Sequence, residues 1–112
     1  MMKNKVQLIT YADRITGQDI NALTTLLHGP LEGVFGGVHL LPFYNPIDGS
    51  DAGFDPIDHS EVDSRIGTWD DIKALGKDHD LMADLIVNHV SAQSFQFQDV
   101  LAKGKASAFW DL

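Results

Sequence analysis

The sequence contains no cysteine among its 112 residues. This absence excludes disulfide bonds, thiolate zinc sites, iron–sulfur clusters and a cysteine nucleophile, and it fits a reducing compartment. We therefore expect a cytoplasmic protein. Positive charge is also scarce, because 8 Lys and Arg residues stand against 16 Asp and Glu residues and give a net charge of −8. A protein that binds nucleic acid needs a basic surface, so we expect no nucleic-acid partner.

Long hydrophobic runs are missing as well. A membrane helix needs roughly 18 apolar residues, and the longest candidate, 81–90, is interrupted by Asp84, Asn88 and His89. The apolar stretch that begins at Val6 contains polar residues and ends at Asp13, which is not typical of a secretory signal. We therefore expect neither a membrane partner nor an export signal.

Nucleotide-binding and hydrolase motifs are absent too. The sequence contains no Gly-x-Gly-x-x-Gly, no Gly-x-x-x-x-Gly-Lys and no Gly-x-Ser-x-Gly motif. The apolar fraction of 44% is nevertheless that of a globular protein. The length suits one domain of ordinary size.

What is present is an alternation of strands and helices. Short apolar runs predict strands over 6–12, 37–41 and 81–87, each apolar on both faces as in a buried parallel sheet. Helices are predicted after an Asp19 N-cap, after a capping box at Thr68-x-x-Asp71, and over 94–103. We expect the third helix to bury Phe97, Val100 and Leu101. The order β-α-β-α-β-α indicates an α/β protein with parallel strands and right-handed crossovers.

The segment 43–67 has no clean period, and we interpret it as a long loop after the second strand. In α/β folds such a loop lies at the carboxyl ends of the strands, where ligands bind. Polar residues collect at these strand ends: Asp13, Asp51, Asp55, Asp58, His59, Asn88 and His89. Carboxylates and amides bind sugar hydroxyls, and Phe54 offers an apolar face to a sugar ring. The same residues are also common turn formers, and a metal site is a weaker alternative.

Several other polar residues have simpler structural interpretations. Asp84 is expected within the third strand, where it would form a hydrogen bond to a neighbouring strand. His39 is expected to be a core histidine, and Asp63 a solvated side chain. Trp69 is interpreted as an anchor for the second helix.

Three motifs in order carry a resemblance to a known family. The segment Asp84-Leu-Ile-Val-Asn88-His89 resembles the first signature region of glycoside hydrolase family 13, the α-amylase family. The segment 37–42 resembles the second-strand region of that family, and 52–68 resembles the stretch before its second helix. Within the family, the segments 6–13, 49–59 and 84–89 together resemble those of the sucrose phosphorylases, and this similarity covers essentially all 112 residues. It implies the first three β-α units of a (β/α)8 TIM barrel, incomplete, with 1–112 as an N-terminal part and 43–67 as an active-site loop.

The resemblance also implies substrate-binding residues. It assigns Asp51 to a hydrogen bond with the bound glucosyl unit, Phe54 to packing against the sugar, and His89 to the hydroxymethyl group. Asn88 matches a calcium ligand of some amylases, but sucrose phosphorylases do not depend on that ion. We therefore expect no metal and no cofactor.

The implied reaction converts sucrose and phosphate to glucose 1-phosphate and fructose by a retaining double displacement. In the family, the nucleophile and the acid/base come from strands four and five, so we expect both to lie beyond residue 112 and the 112 residues alone to be inactive. Two alternatives stay open. One is a different family 13 hydrolase or transglycosylase acting on an α-glucoside. The other is a non-catalytic half-barrel that binds a sugar or a protein partner.

Overall fold

The computed structural model describes residues 2–46, 53–87 and 89–112. In chain order the elements are β1 (Gln7–Thr10), α1 (Ile20–His28), β2 (Gly37–Leu40), β3 (Tyr44–Pro46), β4 (Pro56–Val62), α2 (Trp69–Leu75), β5 (Asp80–Ala83) and α3 (Phe95–Lys103). A single 3-10 turn, Gly104–Ala106, follows α3. The α/β class predicted from the sequence is confirmed.

The main sheet contains β1, β2 and β5 in that order, and both pairings are parallel. Val38 and Leu40 of β2 are buried and pack with both helices. The helices contribute Ile20, Leu23, Leu27, Ile72 and Leu75 to this core, and Ala12 and Phe43 from the loops after β1 and β2 complete it. The core therefore lies on one face of the sheet, beneath α1 and α2.

Local capping signals position both core helices. Asp19 Oδ1 accepts a hydrogen bond from the Ala22 amide at 2.9 Å, as an N-cap does. At the start of α2, Thr68 and Asp71 form the reciprocal capping box. Gly67 precedes that box with φ +152°, and a Cβ there would lie 3.0 Å from Ile20 Cδ1. A glycine is therefore needed where α2 begins against α1.

The prediction that the strands are buried on both faces is wrong. Ile9 and Met82 are 64% and 47% exposed, and they lie in register with His39 on the face opposite the helices. No described element covers that face. The helix α3 also departs from its prediction, because it has no buried residue and Leu101 is 64% exposed. Its main contacts are with the 3-10 turn that follows it rather than with the sheet, and Phe95 packs edge-on against Phe109 at 5.7 Å between ring centroids.

The segment 43–67 contains two strands that the sequence interpretation missed. β3 and β4 form an antiparallel hairpin that pairs Tyr44 with Val62 and Asn45 with Asp58, with shifts in register between the pairs. A three-residue strand with an irregular register has too short a period to be recognised in a sequence. Residues 47–52 of this hairpin lie outside the described residues.

Within the described residues, no helix combines the length and the apolar character that a membrane crossing requires.

Candidate functional site

The hairpin lies over the chain segment that follows β5, at the carboxyl ends of the parallel strands. β5 ends at Ala83, four residues earlier than predicted. Beyond it, the Tyr44 hydroxyl donates a hydrogen bond to the Asp84 carbonyl at 2.9 Å, and His59 Nε2 donates to the Ile86 carbonyl at 3.0 Å. Side chains of the hairpin therefore donate to these main-chain carbonyls. If β5 continued past Ala83, the backbone of a neighbouring strand would donate to them instead.

Two of the three predicted sugar-binding residues meet at this position. His89 Nε2 donates a hydrogen bond to the Phe54 carbonyl at 2.7 Å. The His89 side chain is exposed and Phe54 is half-buried, so both remain accessible to a ligand. Asp51, the third of these residues, lies outside the described residues, as does Asn88.

A groove of about 660 Å³ opens between the hairpin and the segment after β5. Its walls include residues 57–60 of β4, residues 85–87, and His89. Leu85 and Val87 are 82% and 79% exposed, so one wall of the groove is apolar and open. The groove therefore combines apolar surface with the polar groups of Asp58, His59 and His89.

Asp58 is the best-defined carboxylate in this groove. The Ser60 hydroxyl and the Ser60 amide both donate to its Oδ1, at 2.6 Å and 2.7 Å. These bonds lower the pKa of the Asp58 carboxyl below its usual value. Asp58 is therefore an ionised acceptor near neutral pH. Asp13, by contrast, is exposed and lies 3.7 Å from Arg14 Nε.

Asp84 and His39 form a close pair on the face opposite the helices. His39 Nε2 lies 3.3 Å from Asp84 Oδ2, but the geometry is not that of a hydrogen bond. Neither atom has a hydrogen-bond partner within the described part of the chain, although both are buried. Asp84 therefore faces the neighbouring strand β2 as expected, but the hydrogen bonds expected of Asp84 and of a satisfied His39 are absent from the described part of the chain.

Asp63 is a feature that the sequence interpretation missed. It was expected to be solvated, but it is buried and binds the Arg65 guanidinium through both carboxylate oxygens, with Nη2–Oδ2 at 2.7 Å. The hydrogen bonds from Arg65 lower the pKa of the Asp63 carboxyl, and burial opposes them only in part. The Asp63 amide also donates to the Phe43 carbonyl at 2.8 Å. The Asp-x-Arg spacing was the available signal for this turn, which connects the hairpin to α2.

Trp69 occupies the anchoring position expected of it. Its indole Nε1 donates to the Ser60 carbonyl at 2.9 Å, and its ring packs edge-on against Phe43 at 5.7 Å between centroids. The first residue of α2 is thereby attached to the hairpin. Among the described residues, no group of three or more His, Asp or Glu side chains is arranged to hold a metal ion.

The fold and the site define a class of protein: an α/β chain with a parallel sheet and a groove of mixed apolar and polar surface at the carboxyl ends of its strands. The family model for Alpha-amylase, described as the alpha amylase catalytic domain, matches residues 33–111. The chain belongs to this family.

Similar proteins were found by sequence and by structure. A sucrose phosphorylase of Agrobacterium vitis is 63% identical over 111 residues, which are 99% of this chain and 23% of that protein. A sucrose 6F-phosphate phosphorylase from Thermoanaerobacter thermosaccharolyticum has a structure that matches 100% of this chain and 22% of its own, with a TM-score of 0.92 and 46% identity. The chain therefore spans less than a quarter of the length of these relatives.

A more distant structure extends the comparison. The MutB E254Q mutant, solved in complex with its substrate sucrose, matches 98% of this chain and 21% of its own, with a TM-score of 0.79 and 26% identity. Sucrose is therefore the substrate of a protein that shares the fold of almost the whole chain.

Proposed function

We propose that this chain forms part of the glucosyl-binding site of a sucrose phosphorylase-like glucosyltransferase. The complete reaction would convert sucrose and phosphate to glucose 1-phosphate and fructose. The observation that carries the proposal is the contact between His89 and the Phe54 carbonyl. Both residues are ones for which the family resemblance implies contacts with the sugar. The 63% identity to a named sucrose phosphorylase over 99% of the chain supports it.

The proposed architecture is the first three β-α units of a (β/α)8 barrel, with residues 1–112 as one continuous part of it. Three parallel strands and a TM-score of 0.92 to a sucrose 6F-phosphate phosphorylase support this assignment. The segment 43–67 would form one wall of the active site, because its hairpin lies over the strand ends. A barrel of this kind takes about 250 residues.

The geometry at His89 suggests how it would recognise a sugar. Since Nε2 donates to the Phe54 carbonyl, Nδ1 of the neutral ring carries the lone pair. Nδ1 can therefore accept a hydrogen bond from the hydroxymethyl group of the glucosyl unit. Phe54 would pack against the sugar, and Asp51 would accept hydrogen bonds from its ring hydroxyls.

The chemical step would require groups from outside these 112 residues. A retaining double displacement uses two carboxyl groups about 5–5.5 Å apart, a nucleophile and an acid/base. We place both in the remaining length that the relatives have, together with the residues that bind phosphate. The proposed mechanism uses no cofactor and no metal ion, and a cytoplasmic location stays a prediction.

A hybrid enzyme tests the proposal. In the Agrobacterium vitis relative, the segment that matches this chain is replaced by residues 1–112, and release of glucose 1-phosphate from sucrose and phosphate is measured. We expect release at a rate within about tenfold of the parent enzyme, since the two segments are 63% identical and would make the same kind of sugar contacts. Glucose release without glucose 1-phosphate would favour a hydrolase instead. A folded hybrid that cleaves no sucrose would favour the non-catalytic half-barrel and contradict the proposal.

A further inference from the structure

Hydrogen bonds from the hairpin hold the segment after β5 within the described residues. Beyond Ala83 its backbone forms no ladder with β2, yet Ile86 is only 8% exposed. Its fixed points are the carbonyls of Asp84 and Ile86, which accept from Tyr44 and His59. A third point is the Ser91 amide, which donates to the Pro56 carbonyl at 3.2 Å.

His59 is the central one of these supports. It comes from β4, its ring lies 5.8 Å from that of Tyr44, and its Nε2 binds the carbonyl three residues before His89. Tyr44 lies next to it and keeps its proton, because burial, with a contribution from Asp84, raises the pKa of its hydroxyl. The two side chains therefore donate to alternate carbonyls of one extended segment.

We infer that His59 is a positioning residue for sugar binding. Through the Ile86 carbonyl it fixes the segment that presents His89, and Tyr44 supports the same segment at Asp84. This inference rests on the proposed function in that it takes His89 to contact the glucosyl unit. The role of His59 is to position His89. Loss of His59 should therefore weaken binding of the sugar equally in the ground state and in the transition state.

The test uses the hybrid enzyme with His59→Phe, which keeps an aromatic ring beside Tyr44 and removes the N–H donor. We expect KM for sucrose to rise about tenfold while kcat changes less than about twofold, because uniform binding is lost. His59→Gln, which supplies an amide donor at a similar reach, should restore KM to within about threefold of the unmodified hybrid. His28→Phe is the matched control, since His28 lies at the end of α1 beside Asp78 and away from the segment.

A merely structural role predicts a different pattern. His59→Phe would then lower the yield of folded enzyme and the apparent kcat without raising KM, and His59→Gln would not differ from it. That pattern overturns the inference. If His59→Phe does not fold, KM for sucrose is measured in His59→Gln and in Tyr44→Phe instead. A raised KM in Tyr44→Phe together with a near-parental KM in His59→Gln supports the inference. A parental KM in Tyr44→Phe overturns it.

Amide hydrogen exchange separates this inference from the proposed function. The Ser91 amide should exchange at least about tenfold faster in His59→Phe and at the unmodified rate in His28→Phe. This readout needs no activity. If the unmodified hybrid cleaves no sucrose, the proposed function fails, while faster exchange at Ser91 still supports positioning by His59. Unchanged exchange overturns the inference whatever the activity.

Discussion

Single residues hold the site together mainly by bonding to main-chain groups. His89 and His59 each donate to a carbonyl, and Trp69 donates to a third. These bonds join three stretches of chain that share no β-ladder. The bond from His59 is the costly one to remove, because Ile86 is buried and its carbonyl would lose its partner.

Asp63 gives a pH-dependent prediction at the same scale. Its pKa is lowered in the folded state by Arg65, so the stabilisation is fully present above the unfolded value of about 3.9 and is lost as the pH falls through the folded value. We expect the urea midpoint to fall between about pH 5 and about pH 2, and we expect Asp63→Asn to reduce that slope. Asp70→Asn is the control, because Asp70 is exposed and its ion pair with Lys73 is long, at 3.6 Å. An unchanged slope in Asp63→Asn would contradict the account.

The sequence predicted which residues lie near the strand ends better than it predicted what surrounds them. Phe54 and His89 were expected at the strand ends, and the structure brings them into contact. Asp63 was misjudged because a charged residue in a loop is usually solvated, and its burial depends on Arg65 and on the distant Phe43 carbonyl. Such contacts are set by tertiary structure, which no local pattern records.

The bounds of some secondary-structure elements are set by local contacts, and those of others by distant contacts. The starts of α1 and α2 were predictable because their capping side chains bind within three residues. The end of β5 was not, because the carbonyls that follow it bind Tyr44 and His59 from the hairpin. The prediction of a helix over 94–103 agrees with the position of α3, but it missed the exposure of this helix, since burial depends on a neighbour rather than on a period.

The capping box makes a prediction at the scale of the element. Thr68→Ala removes the oxygen that accepts from the Asp71 amide and should lower the free energy of unfolding by about 1 kcal/mol. Thr25→Ala is the matched control, because the Thr25 hydroxyl binds the Asn21 carbonyl inside α1 and alanine favours a helix interior. Urea denaturation followed by circular dichroism measures both. Equal losses in the two variants would show that the box does not stabilise α2.

The whole molecule is more extended than its length requires. Its radius of gyration is 16.5 Å, against about 13 Å for a compact domain of similar length. The core beneath α1 and α2 excludes α3, and the face of the sheet that carries Ile9 and Met82 is uncovered. In the proposed barrel, those surfaces are the ones that meet the neighbouring strands and helices. The same surfaces would favour association of the chain when it is alone.

At the scale of the whole molecule, sugar binding by these 112 residues is distinct from the complete reaction. In the proposed function, His89 and Phe54 would contact the glucosyl unit, whereas the chain spans only 23% of the length of a relative named sucrose phosphorylase. We therefore propose that this segment binds the sugar, whatever supplies the catalytic carboxylates.

The most direct test of that claim is kcat/KM for sucrose in the hybrid enzyme with His89→Ala, compared with His28→Ala. His89→Ala removes the Nδ1 acceptor and should lower kcat/KM at least about tenfold while the circular dichroism spectrum stays unchanged. His28→Ala should leave kcat/KM within about twofold of the unmodified hybrid. A folded His89→Ala hybrid with an unchanged kcat/KM would contradict the account.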